Sequence, residues 1–321
     1  MKTKDSVLKL LKERGGASVS GQEIAAMLGI SRNAVWKAVN SLRLSGCNID
    51  GGTNRGYALI SIGGKPKLKS IRSGMNGEDA DIFIFDTVTS TNDIALDMLK
   101  DGARHGTAVV AHSQTQGRGR TGRSFFSPAG SGIYLSIIIN RNIEADNLLA
   151  VTPAAAVATR RAIDNVCGKQ CLIKWVNDLY LGDKKVCGIL TQSVMGTDGK
   201  ISGIVVGIGV NFVAVPLPED IKNKAGALFE LPPDIDRDRL IGAIISQFLS
   251  LADRLGDRTF MEEYRAHSMI LGERVSYERG GIEYCGTATD IDDDGALYVT
   301  LYGGTVTKIN SGEVSIRRLP S

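Results

Sequence analysis

The stretch QGRGRTGRSFFSP, residues Gln116 to Pro128, constrains the fold more than any other part of this sequence. It sets Arg118, Arg120 and Arg123 among Gly117, Gly119 and Gly122, where neither a helix nor a strand forms easily. The runs before and after it, TAVVAHSQTQ and GIYLSIIIN, are apolar and strand-like. The fold must therefore be a sheet that holds a long cationic loop between two of its strands. Glycine lets consecutive amides converge on an anion, and each arginine adds a planar fork that fits phosphate or carboxylate. Three cations this close repel one another and have no core to pack into, so the loop is expected to be disordered when empty and ordered by an anionic ligand. Taken alone, it also fits a solvated basic loop or an RNA-binding segment.

A chain of 321 residues, 43% of them hydrophobic and 23% charged, is ordinary globular material with room for two or three domains. No apolar run reaches the roughly 18 residues of a spanning helix, and the N-terminus does not read as a signal peptide, so a cytoplasmic protein with no membrane partner is expected. The cysteines number five and form no CxxC pair, which indicates neither a disulfide framework nor a structural zinc site. They read as reduced, mostly buried thiols. Charge is uneven: up to Ser70 there are 12 lysines and arginines against 4 aspartates and glutamates, a net of +8, while the remainder carries 26 against 31, a net of −5. A basic head on an acidic body points to a polyanionic partner for the head.

The head itself is patterned for helices. Val7, Leu8, Leu10 and Leu11 mark a short amphipathic helix, and in QEIAAMLGI the residues Ile24, Met27 and Leu28 share a face. Gly29 makes the break, and Ser31 is a good N-cap for a third helix with Val35, Val39 and Leu42 on its inner stripe. Ser31, Arg32, Asn33, Trp36, Lys37 and Asn40 are left for phosphates and base edges. This is a helix-turn-helix, and NIDGGTNRGYALI behind it reads as a wing with Arg55 near its tip. A head used only for protein contacts is the bland alternative. SIGGKPKLKSIRSG reads as the linker.

Further along, DIFIFDTV is a strand and STNDIALDMLKDG a helix entered through Ser90 and Thr91. KWVNDLYLGDKKVCGIL reads as two strands around a turn at Gly182-Asp183, which places Lys174, Asn177, Asp178 and Lys185 on or beside a hairpin. Polar groups there cost stability unless paired, so they mark a ligand site or, more blandly, a Lys174 to Asp178 salt bridge. No GxxxxGK(S/T) loop is present, GIGVN lacks dinucleotide spacing, and the chain has only 3 histidines. ADNLLAVTPAAAVATRRAIDNV is read as one long helix against the sheet, with RDRLIGAIISQFLSLADRL and FMEEYRAHS as later helices. From Leu271 short strands separated by glycine turns suggest a small barrel. DIDDDG resembles a calcium loop, but Leu301 stands where an EF-hand needs glutamate, so it reads as a β-turn.

STN at Ser90 to Asn92, Gln114, GRGRTGR at Gly117 to Arg123, KWVNDL at Lys174 to Leu179, Lys185 with GIL at Gly188 to Leu190, and GIGVN at Gly207 to Asn211 occur in the order seen in biotin protein ligases. With the winged head, the whole chain resembles the bifunctional biotin ligase and biotin operon repressor family of bacteria. The resemblance implies an α+β protein: a winged helix-turn-helix over residues 1-65, a class II synthetase-like mixed sheet with helices over 66-270, and an SH3-like β-barrel over 271-321. It implies an enzyme that joins biotin to ATP with Mg²⁺ as biotinyl-5'-adenylate and passes biotin to a lysine of the biotin carboxyl carrier protein of acetyl-CoA carboxylase. Bound adenylate would make it a homodimer on operator DNA. Ser90, Thr91, Asn92 and Gln114 would hold biotin's ureido end, and Arg118, Gly119 and Arg120 the carboxylate and phosphate end. Lys185 would bridge carboxylate and α-phosphate, with Asp178 orienting the acceptor amine. Arg123, Phe125, Lys174, Asn177, Asn211 and Arg317 would lie on the nucleotide side. No protein metal ligand is implied, Mg²⁺ coming with ATP. Phe125 stands where the family commonly has tryptophan, and Val176 replaces the proline of KWPNDL.

Two other readings compete: a lipoate or octanoate transfer enzyme of the same superfamily, and a ligand-gated DNA-binding protein that has lost catalysis. The first is not expected to combine GRGRxGR with KWxND and a winged helix. The second predicts damage at Arg118, Arg120 or Lys185, and all three are intact.

Overall fold

The computed structural model describes residues 3–44, 46–52, 55–141, 145–196, 201–310, 312 and 314–316. The head consists of α1 (Thr3–Glu13), α2 (Gly21–Leu28) and α3 (Arg32–Leu44), followed by the hairpin of β1 (Asn48–Gly52) and β2 (Gly56–Ser61). Leu8, Leu11, Ile24, Val35, Val39 and Leu42 form its core. α2 opens with a capping box, Ser20 Oγ accepting from Glu23 N–H and Glu23 Oε2 from Ser20 N–H, and ends at Gly29 with φ 64°. Met27 does not join the buried face; it is 54% exposed, with Arg14 reaching its sulfur. Ala25, on the other flank of Ile24, lets α2 approach its neighbours closely and is buried in its place.

The expected linker contains a helix, α4 (Leu68–Ser73), and is docked along its length. After it come β3 (Ile82–Val88), α5 (Thr91–Lys100), β4 (Ala108–Gln114), β5 (Gly132–Ile139), α6 (Ala145–Leu148), α7 (Val151–Cys167), β6 (Leu172–Lys174), β7 (Asp178–Leu181), β8 (Lys184–Met195), β9 (Ile201–Asn211), α8 (Arg237–Ala252) and α9 (Phe260–Ala266). The seven strands form one sheet in the order β3-β4-β5-β9-β8-β7-β6. Only β3 and β4, joined by the α5 crossover, run parallel. Every residue of β5 is buried, as expected of a strand covered on both faces. α5 packs on β5 and β9, while α7 and α8 pack together beneath. The run read as a single long helix is two, α6 and α7, with the break before Val151. Ala154, Ala155, Ala158 and Ala162 let α7 lie buried against both its helical neighbours and the sheet.

The C-terminal strands β10 (Arg274–Arg279), β11 (Ile282–Ile291), β12 (Leu297–Leu301), β13 (Val306–Ile309) and β14 (Val314–Ile316) form a five-stranded antiparallel sheet in the order β13-β12-β11-β10-β14. DIDDDG is a turn: Asp292 Oδ1 accepts from the N–H groups of Asp294 and Ala296, and Gly295 has φ 82°. Its acidic residues dock the sheet, Asp293 meeting Arg265 at 2.8 Å. Trp175 Nε1 donates to Gly295 O at 2.8 Å.

The head is held to the body by polar contacts as well. Lys12 Nζ donates to Ala214 O at 2.7 Å and Glu230 O at 2.9 Å, and Arg237 reaches Gly64 O at 2.8 Å. Burial lowers the Lys12 pKa, against the raising effect of Glu230. Cys47, Cys167, Cys171 and Cys187 are buried thiols, the first two pushed by desolvation to about 11.

α4 crosses α8 at two glycines. A Cβ at Gly242 would lie 2.0 Å from Ile71 O, and one at Gly74 would lie 2.1 Å from Arg239 O. Gly242→Ala should destabilise the protein by about 1 to 3 kcal/mol by overpacking this crossing. Thermal unfolding beside the wild type tests this; an unchanged melting temperature would show that the helices can separate freely.

Candidate functional site

A cleft of about 500 Å³ opens at one end of the large sheet, and its floor is the hydrogen-bonded backbone of β8 and β9. Gly188, Gly207 and Gly209 line it. At Gly207 a Cβ would lie 2.1 Å from Asn92 Oδ1, and at Gly209 one would lie 2.6 Å from the Phe125 ring. Glycine is needed at both for these side chains to reach the sheet.

One wall is the start of α5, where Ser90, Thr91 and Asn92 are all buried. Ser90 occupies the N-cap without a side-chain capping bond, and the Thr91 N–H instead donates to Gln114 Oε1 at 2.8 Å. Gln114 Nε2 donates to Ser127 Oγ at 2.8 Å, whose hydroxyl donates to Phe125 O. Behind Asn92 stand two residues absent from the sequence reading. Ser136 Oγ lies 2.6 Å from Asn92 Oδ1, and Asn92 Nδ2 donates to Gln192 Oε1 at 2.7 Å. Asn92 Oδ1 can only accept, so the single Ser136 proton goes to it. The 2.8 Å contact between Ser136 and Thr91 then needs Thr91 as the donor. The orientation of the Asn92 amide is fixed from both ends. A lone serine inside the apolar run GIYLSIIIN was the signal that could have found Ser136.

The arginine loop forms the opposite wall as a narrow hairpin. Gly119 N–H donates to Arg123 O at 2.7 Å and Phe125 N–H to Gly117 O at 2.7 Å, around a turn with Thr121 at φ 52° and Gly122 at φ 75°. Arg118 and Arg120, expected to repel one another, both have partners. Arg118 meets Asp93 Oδ2 at 3.0 Å, and Arg120 donates to Asn177 Oδ1 at 2.9 Å and to Gly312 O at 3.4 Å. A carboxylate and an amide offset the repulsion between the arginines. Arg118, Gly119, Arg120 and Arg123 all line the cleft.

Between the walls stands the turn from β6 to β7. Asn177 is clamped to β8, its Nδ2 donating to Ile189 O and its O accepting from Ile189 N–H, both at 2.9 Å. Tyr264 of α9 holds the turn from below, its hydroxyl donating to Val176 O at 3.1 Å. Asp178 pairs with Lys185, Oδ1 to Nζ 2.7 Å. The contact is one of charge, because this buried oxygen finds no aligned donor among the described residues. Lys174 lies 5.5 Å from the centre of the Tyr180 ring. Desolvation, helped by Asp178, pushes the Tyr180 phenol up to about 12. Asn211 lines the cleft and donates to Gly226 O at 2.8 Å, bracing the segment whose Gly226 N–H meets Lys185 O. Phe125 lies over Gly188 and Gly209, edge-on to Tyr134 at 6.5 Å. Arg317 lies outside the described residues.

On the head, Arg32, Asn33, Trp36 and Lys37 are exposed along α3, Asn40 is half-buried, and Arg55 is exposed at the hairpin. Ser31 Oγ accepts from Ala34 N–H at 3.1 Å, capping the helix.

Fold and site together define the class: a ligase built on a mixed synthetase-like sheet that carries its own helix-turn-helix head. The sequence pattern of the Biotin/lipoate A/B protein ligase family matches residues 84–211, that of an HTH domain residues 3–58, and that of the Biotin protein ligase C terminal domain residues 270–317. The chain is 30% identical to the Bifunctional ligase/repressor BirA of Bacillus subtilis over 97% of both chains. It is 28% identical to the protein of that name in Escherichia coli over 93% of this chain and 92% of that one. Its fold matches the biotin protein ligase of Aquifex aeolicus solved with biotin and ATP, with TM-score 0.62 and 28% identity, covering 74% of this chain and 99% of that one. The chain belongs to the biotin protein ligase family, in its bifunctional ligase and repressor form.

Ser136→Ala and Gln192→Ala should each lower stability by about 1 to 3 kcal/mol, since the first takes the donor from the Asn92 oxygen and the second leaves its nitrogen only the 3.4 Å bond to Leu190 O. Both act on Asn92, so the double variant should lose less than the sum. Denaturant unfolding measures all three, and strict additivity would show that the two bonds are independent.

Proposed function

We infer that this protein activates biotin with ATP as biotinyl-5'-adenylate, transfers biotin to a lysine of a biotin carboxyl carrier protein, and represses transcription through its head. The observation that carries the reading is the Lys185–Asp178 pair at 2.7 Å, set in one cleft between the buried Ser90 to Asn92 wall and the arginine hairpin. Biotin's ureido ring occupies the wall formed by Ser90, Thr91, Asn92 and Gln114, where buried donors and acceptors match its own. Its carboxylate then points at Lys185 and Arg118.

ATP takes the side of the cleft lined by Arg120, Arg123, Phe125, Lys174, Asn177 and Asn211, bringing Mg²⁺ on its phosphate oxygens as part of the substrate. A carboxylate oxygen attacks the α-phosphorus, the bond to the bridging oxygen breaks, and pyrophosphate leaves with that electron pair. Two anions must approach for this, and Lys185, Arg118 and Arg120 supply preorganised positive charge where it is needed. As Lys185 turns to the carboxylate and phosphate, Asp178 is released from its ion pair. It then orients the acceptor amine, which attacks the biotinyl carbonyl and expels AMP.

The arginine hairpin shields the mixed anhydride from water. Ordering it with adenylate removes an entropic cost from a dimer interface, which links ligand binding to a homodimer on a two-half-site operator. ATP, carrier and operator share one compartment, which places the protein in the cytoplasm. Sedimentation with and without biotin and Mg-ATP tests the linkage: a shift to dimer is expected, and an unchanged monomer at concentrations that bind DNA would sink it.

Labelled biotin should enter an acceptor domain with Mg-ATP, and lipoate should not compete. In the same assay Arg120→Gly should release free adenylate before transfer, with the fold intact. Biotin binding without transfer would leave a sensor, and unchanged adenylate release in Arg120→Gly would overturn the role given to the hairpin.

A further inference from the structure

Arg43, at the end of α3, does not face outward with the other cations of that helix. Its Nε and one terminal nitrogen donate to Ile49 O at 3.0 and 2.7 Å, and the same terminal nitrogen donates to Gly51 O at 2.8 Å. Its guanidinium carbon lies 6.0 Å from the centre of the Tyr57 ring. The two carbonyls belong to β1 and the ring to β2, so one side chain grips both strands of the wing from the end of the recognition helix. The far side of the hairpin is pinned separately: Val19 and Tyr57 exchange backbone hydrogen bonds at 3.0 and 2.8 Å, and Ser18 Oγ donates to Arg55 O at 2.8 Å. Between the strands Gly51, at φ 99°, packs so closely that a Cβ would lie 1.8 Å from Gly56 O. The wing is thus a thin glycine-rich ribbon whose angle to α3 is set by what holds its backbone.

We propose that Arg43 is a positioning residue for DNA binding, which fixes the wing relative to α3 so that Arg55 reaches a phosphate while α3 occupies the groove. A planar fork suits the task, because Nε and a terminal nitrogen share Ile49 O while that nitrogen also reaches Gly51 O and the plane lies by the Tyr57 ring; a lysine ammonium can meet two carbonyls, as Lys12 does, but has no second nitrogen on Ile49 O and no planar face for the ring. The proposal rests on the reading of the head as DNA-binding.

Full-length protein with biotin and Mg-ATP is titrated onto a random-sequence duplex across a range of salt. Each phosphate contact adds about 0.9 to the slope of log affinity against log salt. Arg55→Ala should lose about one contact of slope for each protomer, hence about two for the adenylate-bound homodimer. Arg43→Met should lose the same, Arg43→Lys should fall with it although its charge is kept, and the Arg43→Met, Arg55→Ala double variant should lose no more than either alone. Further slope lost in the double variant beyond either single one, or wild-type binding by Arg43→Lys, would make Arg43 a direct phosphate ligand and overturn the role. Hydrogen exchange separates this from the DNA reading. Without DNA, the amides of Ile49 to Gly52 and of Tyr57 should exchange faster in both Arg43 variants; unchanged protection overturns the proposal whether or not the wild type binds DNA. Biotin transfer at the wild-type rate confirms an intact body.

Discussion

The site depends on a strip of sheet where three glycines, Gly188, Gly207 and Gly209, leave the backbone bare. β8 and β9 pair with Gly188 opposite Gly209 and Leu190 opposite Gly207, so three of the four residues in two neighbouring registers add no side chain to the cleft floor. Asn92 and Phe125 both use the space, one descending from α5 and the other from the arginine hairpin. A methyl group at Gly207 or Gly209 would displace one or the other, and with it a wall of the cleft. The rigid ladder thus supplies the floor and leaves the chemistry to groups that reach it from elsewhere, an arrangement in which strands set distances and loops supply charge.

Much of this was legible in the sequence because it obeys simple periodicities. Val35, Val39 and Leu42 announced α3, and the apolar runs around the arginine loop announced β4 and β5. The residues that motif order assigns to biotin and ATP, where the structure describes them, line one cleft. What escaped was whatever depends on partners distant in the chain. Ser136 and Gln192 carry no motif and act only through Asn92. The arginine loop read as three cations with no core to pack into because Asp93, Asn177 and Gly312 are brought to it from three distant parts of the chain. The linker looked free because glycine and lysine say nothing of the α8 surface that receives them.

The charge asymmetry of the head also reads differently once its geometry is known. Lys12 donates to two carbonyls of the ligase body, and Arg43 holds carbonyls of its own hairpin. Both count toward the net charge of +8 obtained from the sequence, but neither points to where a polyanion would lie. Composition measures how much charge an element carries; only the hydrogen bonds show how much of it is presented outward.

The cleft is closed by the last sheet of the chain. Arg120 reaches Gly312 O, Val314 lines the cleft, and Trp175 hangs from Gly295 O, so the turn between β6 and β7 gains its full set of contacts only once the last sheet has formed. The head, complete by Ser61, buries its own core long before that. On a ribosome the order of synthesis becomes an order of competence: a chain able to fold its DNA-binding module exists well before one able to hold a reactive anhydride out of water. A nascent or truncated chain would carry the DNA-binding head without the enzyme that makes the ligand it answers to.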